Sequence, residues 1–110
     1  MDSFTRRAHY RIRYPLPERP RFTVMGQIYE VIDCSSRGLR YSVAKGDFPP
    51  LGSTIEGRLR FRRGAEVHII GVVLRVQNNE VALYFPNMEI SPSILLDEQR
   101  YLHAHYPMWP

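Results

Sequence analysis

Two groups of residues have side chains whose type and spacing suit them to chemistry. The first is Thr5 to Pro15, TRRAHYRIRYP, which puts Arg6, Arg7, Arg11 and Arg13 into eleven positions. Arg7 and Arg11 form an R-x-x-x-R pattern, and in an extended chain residues four apart are separated by at most roughly 13–14 Å. Guanidinium pairs with phosphates and guanine edges as a planar fork and stacks on rings. The spacing therefore suits a ligand with two separated anionic groups, or a chain wrapping around it; the same residues also make a plain solvated arm. The second group is Asp33-Cys34-Ser35-Ser36-Arg37-Gly38, or D-x-S-x-x-G. On a strand Asp33 and Ser35 share one face, while Ile32 and Cys34 share the other, which is the core side. There Asp33 can accept from guanine N–H groups, Ser35 can add a hydrogen bond, and Gly38 permits close backbone approach. Taken alone, the segment also reads as a turn, because Asp, Ser and Gly are turn residues.

The elements that position these groups are strands. Three prolines in PLPERP, Pro15 to Pro20, separate the arginine-rich arm from the rest of the chain and disfavour helix there. RFTVM and IYEVIDCS flank a turn placed at Gly26-Gln27, and LRYSV follows Gly38. Lys45 to Gly52, KGDFPPLG, is dense in turn residues. TIEGRLRF and AEVHIIGVVLRVQ flank Arg62-Arg63-Gly64 as a second hairpin, and Asn78-Asn79 turns into EVALYF. Arg58, Arg60 and Arg62 alternate with Leu59 and Phe61, as on a sheet with one wet face. About six short strands in a small domain favour closure into a barrel, which removes exposed edges. Ser91-Pro92 or Ser93 caps a helix through SILLDEQRYLHAHY that contains Asp97 and Glu98, with Ile94, Leu95, Tyr101 and Leu102 as its apolar stripe and Pro107 as its stop. The expected organisation is an arm over 1–20, an all-β, six-stranded antiparallel barrel over 21–90, and a helix with tail over 91–110.

Composition narrows the function classes. At 110 residues, 44% hydrophobic and 24% charged, the chain has the make-up of one ordinary globular domain. No apolar run is long enough to span a bilayer, the arginine-rich start has no apolar region behind it, and a single cysteine fits a reducing cytoplasm. The net charge is +4, and 14 of the 15 basic residues are arginine. That bias matches recognition of phosphates and guanine, and a GC-rich genome would produce it equally.

Together, R-x-x-x-R in an N-terminal arm and D-x-S-x-x-G on the second strand of a small barrel resemble the PilZ domain family, over nearly the whole chain from Arg6 to the final helix. The resemblance implies a Greek-key type barrel and a non-enzymatic bacterial sensor of cyclic di-GMP, a ring with two guanines and two phosphates. By that resemblance Arg7 and Arg11 grip phosphate and guanine edges, Asp33, Ser35 and Gly38 hold a guanine against the barrel, and Arg6 stacks on a base of an intercalated ligand dimer. The arm, loose when free and ordered when bound, would pass the signal to an unidentified effector protein. Leu39 departs from the pattern, because many relatives have a second glycine there.

Rival readings are a small basic barrel binding RNA or single-stranded DNA, and a PilZ-like interaction module without ligand binding. No nucleophile elbow, P-loop or paired carboxylates favour an enzyme. His103 and His105 are two apart and do not share a helix face, which disfavours a metal site. Cys34 reads as a buried structural thiol, and no cofactor is expected. Arg58, Arg60, Arg62, Arg63 and Arg75 read as a solvated strand face. Tyr101, Tyr106, Met108 and Trp109 read as a tail packed on the barrel or as a docking surface.

Overall fold

A computed structural model describes residues 11–109. Among these, seven strands and one helix occur in the order β1 (Ile12–Arg13), a 3-10 turn (Leu16–Glu18), β2 (Arg21–Val24), β3 (Gln27–Ser35), β4 (Gly38–Ser42), β5 (Thr54–Arg60), β6 (Glu66–Gln77), β7 (Glu80–Tyr84) and α1 (Pro92–His105). All pairings are antiparallel, and six strands close a ring in the order β2-β3-β4-β7-β6-β5, with β1 added to β3. The first three barrel strands form a meander, and β5 returns across 43–53 to lie beside β2. That is the Greek-key connection, and the expected six-stranded barrel with a C-terminal helix is what forms.

Alternation explains the strands. Phe22, Val31, Leu39, Leu59, Ile69 and Val81 are fully buried inside the ring, with Phe85 and Ile90 closing it. Leu59 and Phe61 point inward and Arg58, Arg60 and Arg62 outward, as the pattern required. The backbones of β2 and β5 approach closely at Gly57, where a Cβ would lie 2.5 Å from the Thr23 carbonyl oxygen.

Three local expectations are corrected. The first hairpin turns at Met25-Gly26 rather than Gly26-Gln27, because Val24 pairs with Gln27 and a two-residue turn of this hand needs positive φ at both central positions. Met25 and Gly26 supply it, at 49° and 82°. Asn78 and Asn79 do the same, at 55° and 59°, where the sequence placed the last hairpin.

Second, strict alternation along β3 fails. The register against β4 shifts between Val31 and Asp33, a bulge that puts Val31 and Cys34, rather than Ile32 and Cys34, into the core. Third, residues 12–20 are not a loose arm. Ile12 pairs with Cys34, Tyr14 N–H donates to the Ile32 carbonyl at 3.0 Å, and Val31 N–H donates to that of Pro20 at 2.9 Å. Ile12 and Tyr14 are buried, and a buried side chain of this size is worth about 1.5–3 kcal/mol, which docks the segment on the same edge of β3 that β2 uses.

At the other end, Ser91 caps α1 through its hydroxyl, which accepts from Ser93 N–H at 3.2 Å, and Pro92 begins the first turn. Leu102 is buried, and Ile94, Leu95 and Tyr101 pack partly against the core.

Candidate functional site

The D-x-S-x-x-G segment is the β3–β4 hairpin. Ser35 pairs with Gly38 across a two-residue turn at Ser36-Arg37, so the segment is a turn, as one of its two readings had it. Gly38 begins β4, where a Cβ would lie 2.7 Å from the Leu83 carbonyl oxygen, so the missing side chain is required by the seam with β7. Leu39, at the position where relatives carry glycine, is fully buried in the core.

Asp33 sits on the outer side of β3 yet has 0% exposure, because two guanidinium groups cover it. Arg11 Nη1 donates to Oδ1 at 2.7 Å; Arg40 donates to Oδ2 from Nε at 2.9 Å and from Nη2 at 2.5 Å. Arg11 arrives here because the β1 register sets Arg13 opposite Asp33 and Ile12 opposite Cys34. The structure thus brings the second arginine of R-x-x-x-R to the aspartate of D-x-S-x-x-G, 22 residues away. Ser35 and Gly38 are buried in the same hairpin. Arg6 and Arg7 lie outside the described residues.

Arg40 is the site residue that sequence reasoning missed. Its signal was present: a two-residue turn at Ser36-Arg37 pairs Ser35 with Gly38, Cys34 with Leu39 and Asp33 with Arg40. Arg40 also donates from Nη1 to Glu80 Oε1 on β7 at 2.9 Å. Its hydrogen bonds to Asp33, outweighing burial, raise its pKa above the ordinary arginine value and secure its charge. At the turn itself, the Arg37 guanidinium lies 5.8 Å from the Tyr84 ring centre, and its Nη2 donates to the phenol oxygen at 3.4 Å. Asp33 is thus held by two guanidinium groups at the base of this hairpin, with Arg37 at its turn.

A second polar cluster ties the barrel to α1 and overturns the solvated reading of Arg63. Glu98, buried in α1, accepts from Tyr14 Oη at 2.8 Å and from Arg63 Nε at 3.0 Å. Arg63 also donates to Glu18 at 2.9 Å and stacks 3.9 Å from the Tyr101 ring centre. Burial opposes the Arg63 charge, but the bonds to Glu98 and Glu18 outweigh it and raise its pKa. Burial likewise raises the Glu18 carboxyl, and hydrogen bonds from Arg63 and Tyr106 outweigh it, holding the group below its ordinary 4.5. Tyr14 Oη lies 3.9 Å from Cys34 Sγ. Burial pushes the Cys34 thiol from 9.0 up to about 12 and raises the Tyr14 phenol, so neither supplies a nucleophile at neutral pH.

The tail packs too. Trp109 Nε1 donates to the Arg13 carbonyl at 2.8 Å with the Arg13 guanidinium over its ring, which gives Arg13 its place; Met108 stays 94% exposed. His105 Nδ1 contacts the Tyr101 carbonyl at 2.9 Å, and among the described residues no three His, Cys, Asp or Glu side chains gather as a metal site. A surface depression of about 500 Å³ lies on the other wall, over β2, β5 and β6, lined by Glu56, Glu66, Arg58, Arg60 and His68. Its charges are mixed, with Arg60 paired to Glu66 and His68 to Glu56, which disfavours it for an anion. Among the described residues no helix is long and apolar enough to cross a membrane.

A closed Greek-key barrel with a basic hairpin and a covering helix defines the class. The PilZ domain model matches residues 5–102, and the chain belongs to the PilZ domain family. Its members are generally receptors for cyclic di-GMP and typically non-enzymatic binding modules. The fold is similar to the crystal structure of an uncharacterized Legionella protein, with TM-score 0.62 and 16% identity, covering 87% of this chain and 99% of that one. No curated protein matches the sequence.

Proposed function

We propose that this protein is a bacterial, cytoplasmic receptor for cyclic di-GMP. Arg7 and Arg11 take the phosphates and guanine edges, Asp33, Ser35 and Gly38 hold a guanine against the β3–β4 hairpin, and Arg6 stacks on a base. The observation that supports this most is the Arg11–Asp33 ion pair at 2.7 Å, which unites the two motifs on one surface. Charge-assisted forks suit a ligand with two phosphates, which a flat barrel wall alone holds poorly. Ligand contact with the arm changes the surface offered to an effector protein, and that change is the signal.

Isothermal titration calorimetry of the full chain with cyclic di-GMP, GTP and an oligonucleotide tests the proposal. Cyclic di-GMP gives heat with the unaltered chain and none with Arg7→Ala or Asp33→Ala. Oligonucleotide binding with a steep salt slope and no cyclic di-GMP response would overturn it in favour of a nucleic-acid barrel. A second reading, an interaction module without ligand, is favoured by the complete burial of Asp33 under two arginines. It gains if no nucleotide gives heat with either the unaltered chain or the variants.

A further inference from the structure

Asp33 has no exposed surface: one guanidinium holds each of its oxygens, Arg11 on Oδ1 and Arg40 on Oδ2. The donor edge of guanine, N1–H and N2–H on one carbon, is chemically a guanidine fragment, and a carboxylate accepts either in the same way. A guanine therefore reaches Asp33 only where one of these arginines leaves. Arg40, with two N–H groups on Oδ2, is the larger obstruction. It is also the one with somewhere to go. It stands on β4 between Asp33 on β3 and Glu80 on β7, and its Nη1 already donates to Glu80 at 2.9 Å. Arg40 and Glu80 are 31% and 32% exposed, so the pair can turn outward together without burying a charge.

We propose that Arg40 is an internal competitor for the guanine-recognising carboxylate and that Glu80 is the acceptor that draws it away. The inference rests on the cyclic di-GMP reading above. Closed, Arg40 occupies Asp33 as a guanine would; open, it keeps Glu80 and leaves Oδ2 free. Apparent affinity is then the intrinsic affinity reduced by the fraction of molecules that are open. Arg40 and Glu80 set how much ligand is needed, while Asp33 sets what is recognised.

Calorimetry of the full chain with cyclic di-GMP tests this with Arg40→Ala, Arg40→Gln, Glu80→Gln and Asp33→Ala. Both Arg40 variants bind about three- to tenfold tighter, and Glu80→Gln binds weaker by a similar factor, because Arg40 then has Asp33 alone. These opposite signs are diagnostic. Removing a cation near an anionic ligand weakens binding by Coulomb's law, and a purely structural role weakens binding in every variant. Arg40→Gln keeps most of the side-chain stem over the barrel wall, so it reports even if Arg40→Ala does not fold. Binding by the unaltered chain with equal or weaker binding by both Arg40 variants overturns the competitor and leaves the receptor reading standing. Binding by an Arg40 variant where the unaltered chain gives no heat supports it. Absence of binding in the unaltered chain and both Arg40 variants overturns the competitor and the receptor reading together. Asp33→Ala binding as well as the unaltered chain also overturns it.

Discussion

Asp33 and Glu98 are both carboxylates withdrawn from solvent, and each is met by an arginine from another part of the chain. Their surroundings differ. Asp33 lies on the outer wall beneath two partly exposed guanidinium groups, one of which already has a second acceptor in Glu80. Glu98 lies inward, with the buried Tyr14 hydroxyl on one side and Arg63 on the other; Arg63 is fixed further by Glu18 and the Tyr101 ring. The first pair faces solvent along the barrel wall, while the second joins the barrel to α1. The two carboxylates thus differ in how their cations are held: the second acceptor of Arg40 is the partly exposed Glu80, while Arg63 is also held by the largely covered Glu18 and by the Tyr101 ring.

The largest test of that contrast is removal of the cation on each side. Arg63→Ala strands the Glu98 charge in the interior and costs about 3 kcal/mol, seen as a drop of more than about 10 °C in melting temperature. Arg40→Ala leaves Asp33 with Arg11 and newly open to water, and costs under about 1 kcal/mol. Equal losses in the two variants would break the comparison.

Removing the carboxylates sharpens it by exchanging the readouts. Asp33→Ala weakens cyclic di-GMP binding at least about a hundredfold, the worth of hydrogen bonds to a charged group, which removes the heat signal, with little change in melting temperature. Glu98→Ala does the reverse below its lowered melting point, leaving affinity within about twofold.

Base acts on the inner cluster through Cys34 and Tyr14. The unfolded thiol ionises at 9.0 and the folded one at about 12, so between these values the unfolded chain sheds its proton first. The stabilising contribution is therefore complete below pH 9 and lost as the pH rises toward 12; the raised Tyr14 phenol adds in the same direction. Urea midpoints fall between pH 7 and about 10.5, and fall less in Cys34→Ala. An unchanged midpoint would mean that water reaches the thiol. Smallest is Trp109→Phe, which loses one hydrogen bond to the Arg13 carbonyl and costs about 0.5 kcal/mol in a urea melt.

Most of the barrel was legible in the sequence because inward and outward residues alternate plainly in β5 and because Asn78-Asn79 needs little context to turn. The bulge after Val31 was not, because nothing in YEVIDCS marks where an extra residue enters; that bulge decides which neighbours of Asp33 face the core. The Asp33–Arg40 pair was readable by counting outward from the Ser36-Arg37 turn. Glu98 and Arg63 were not, since they are 35 residues apart and meet only through the docking of α1 over a hairpin turn. On its own each looks like an ordinary surface charge.

The Greek-key connection also bears on how quickly the ring forms. Four of its six seams, β2–β3, β3–β4, β5–β6 and β6–β7, join strands consecutive in the chain, while β2–β5 and β4–β7 join strands far apart. Hairpins form on the microsecond scale, whereas pairing across a long loop carries the entropy of closing it, so these two seams govern the folding rate. Each seam contains a glycine whose absent Cβ lets backbones meet, Gly57 beside the Thr23 carbonyl and Gly38 beside that of Leu83. The final glycine of D-x-S-x-x-G is therefore also a condition of barrel closure: alanine there slows refolding in stopped flow, as it does at Gly57.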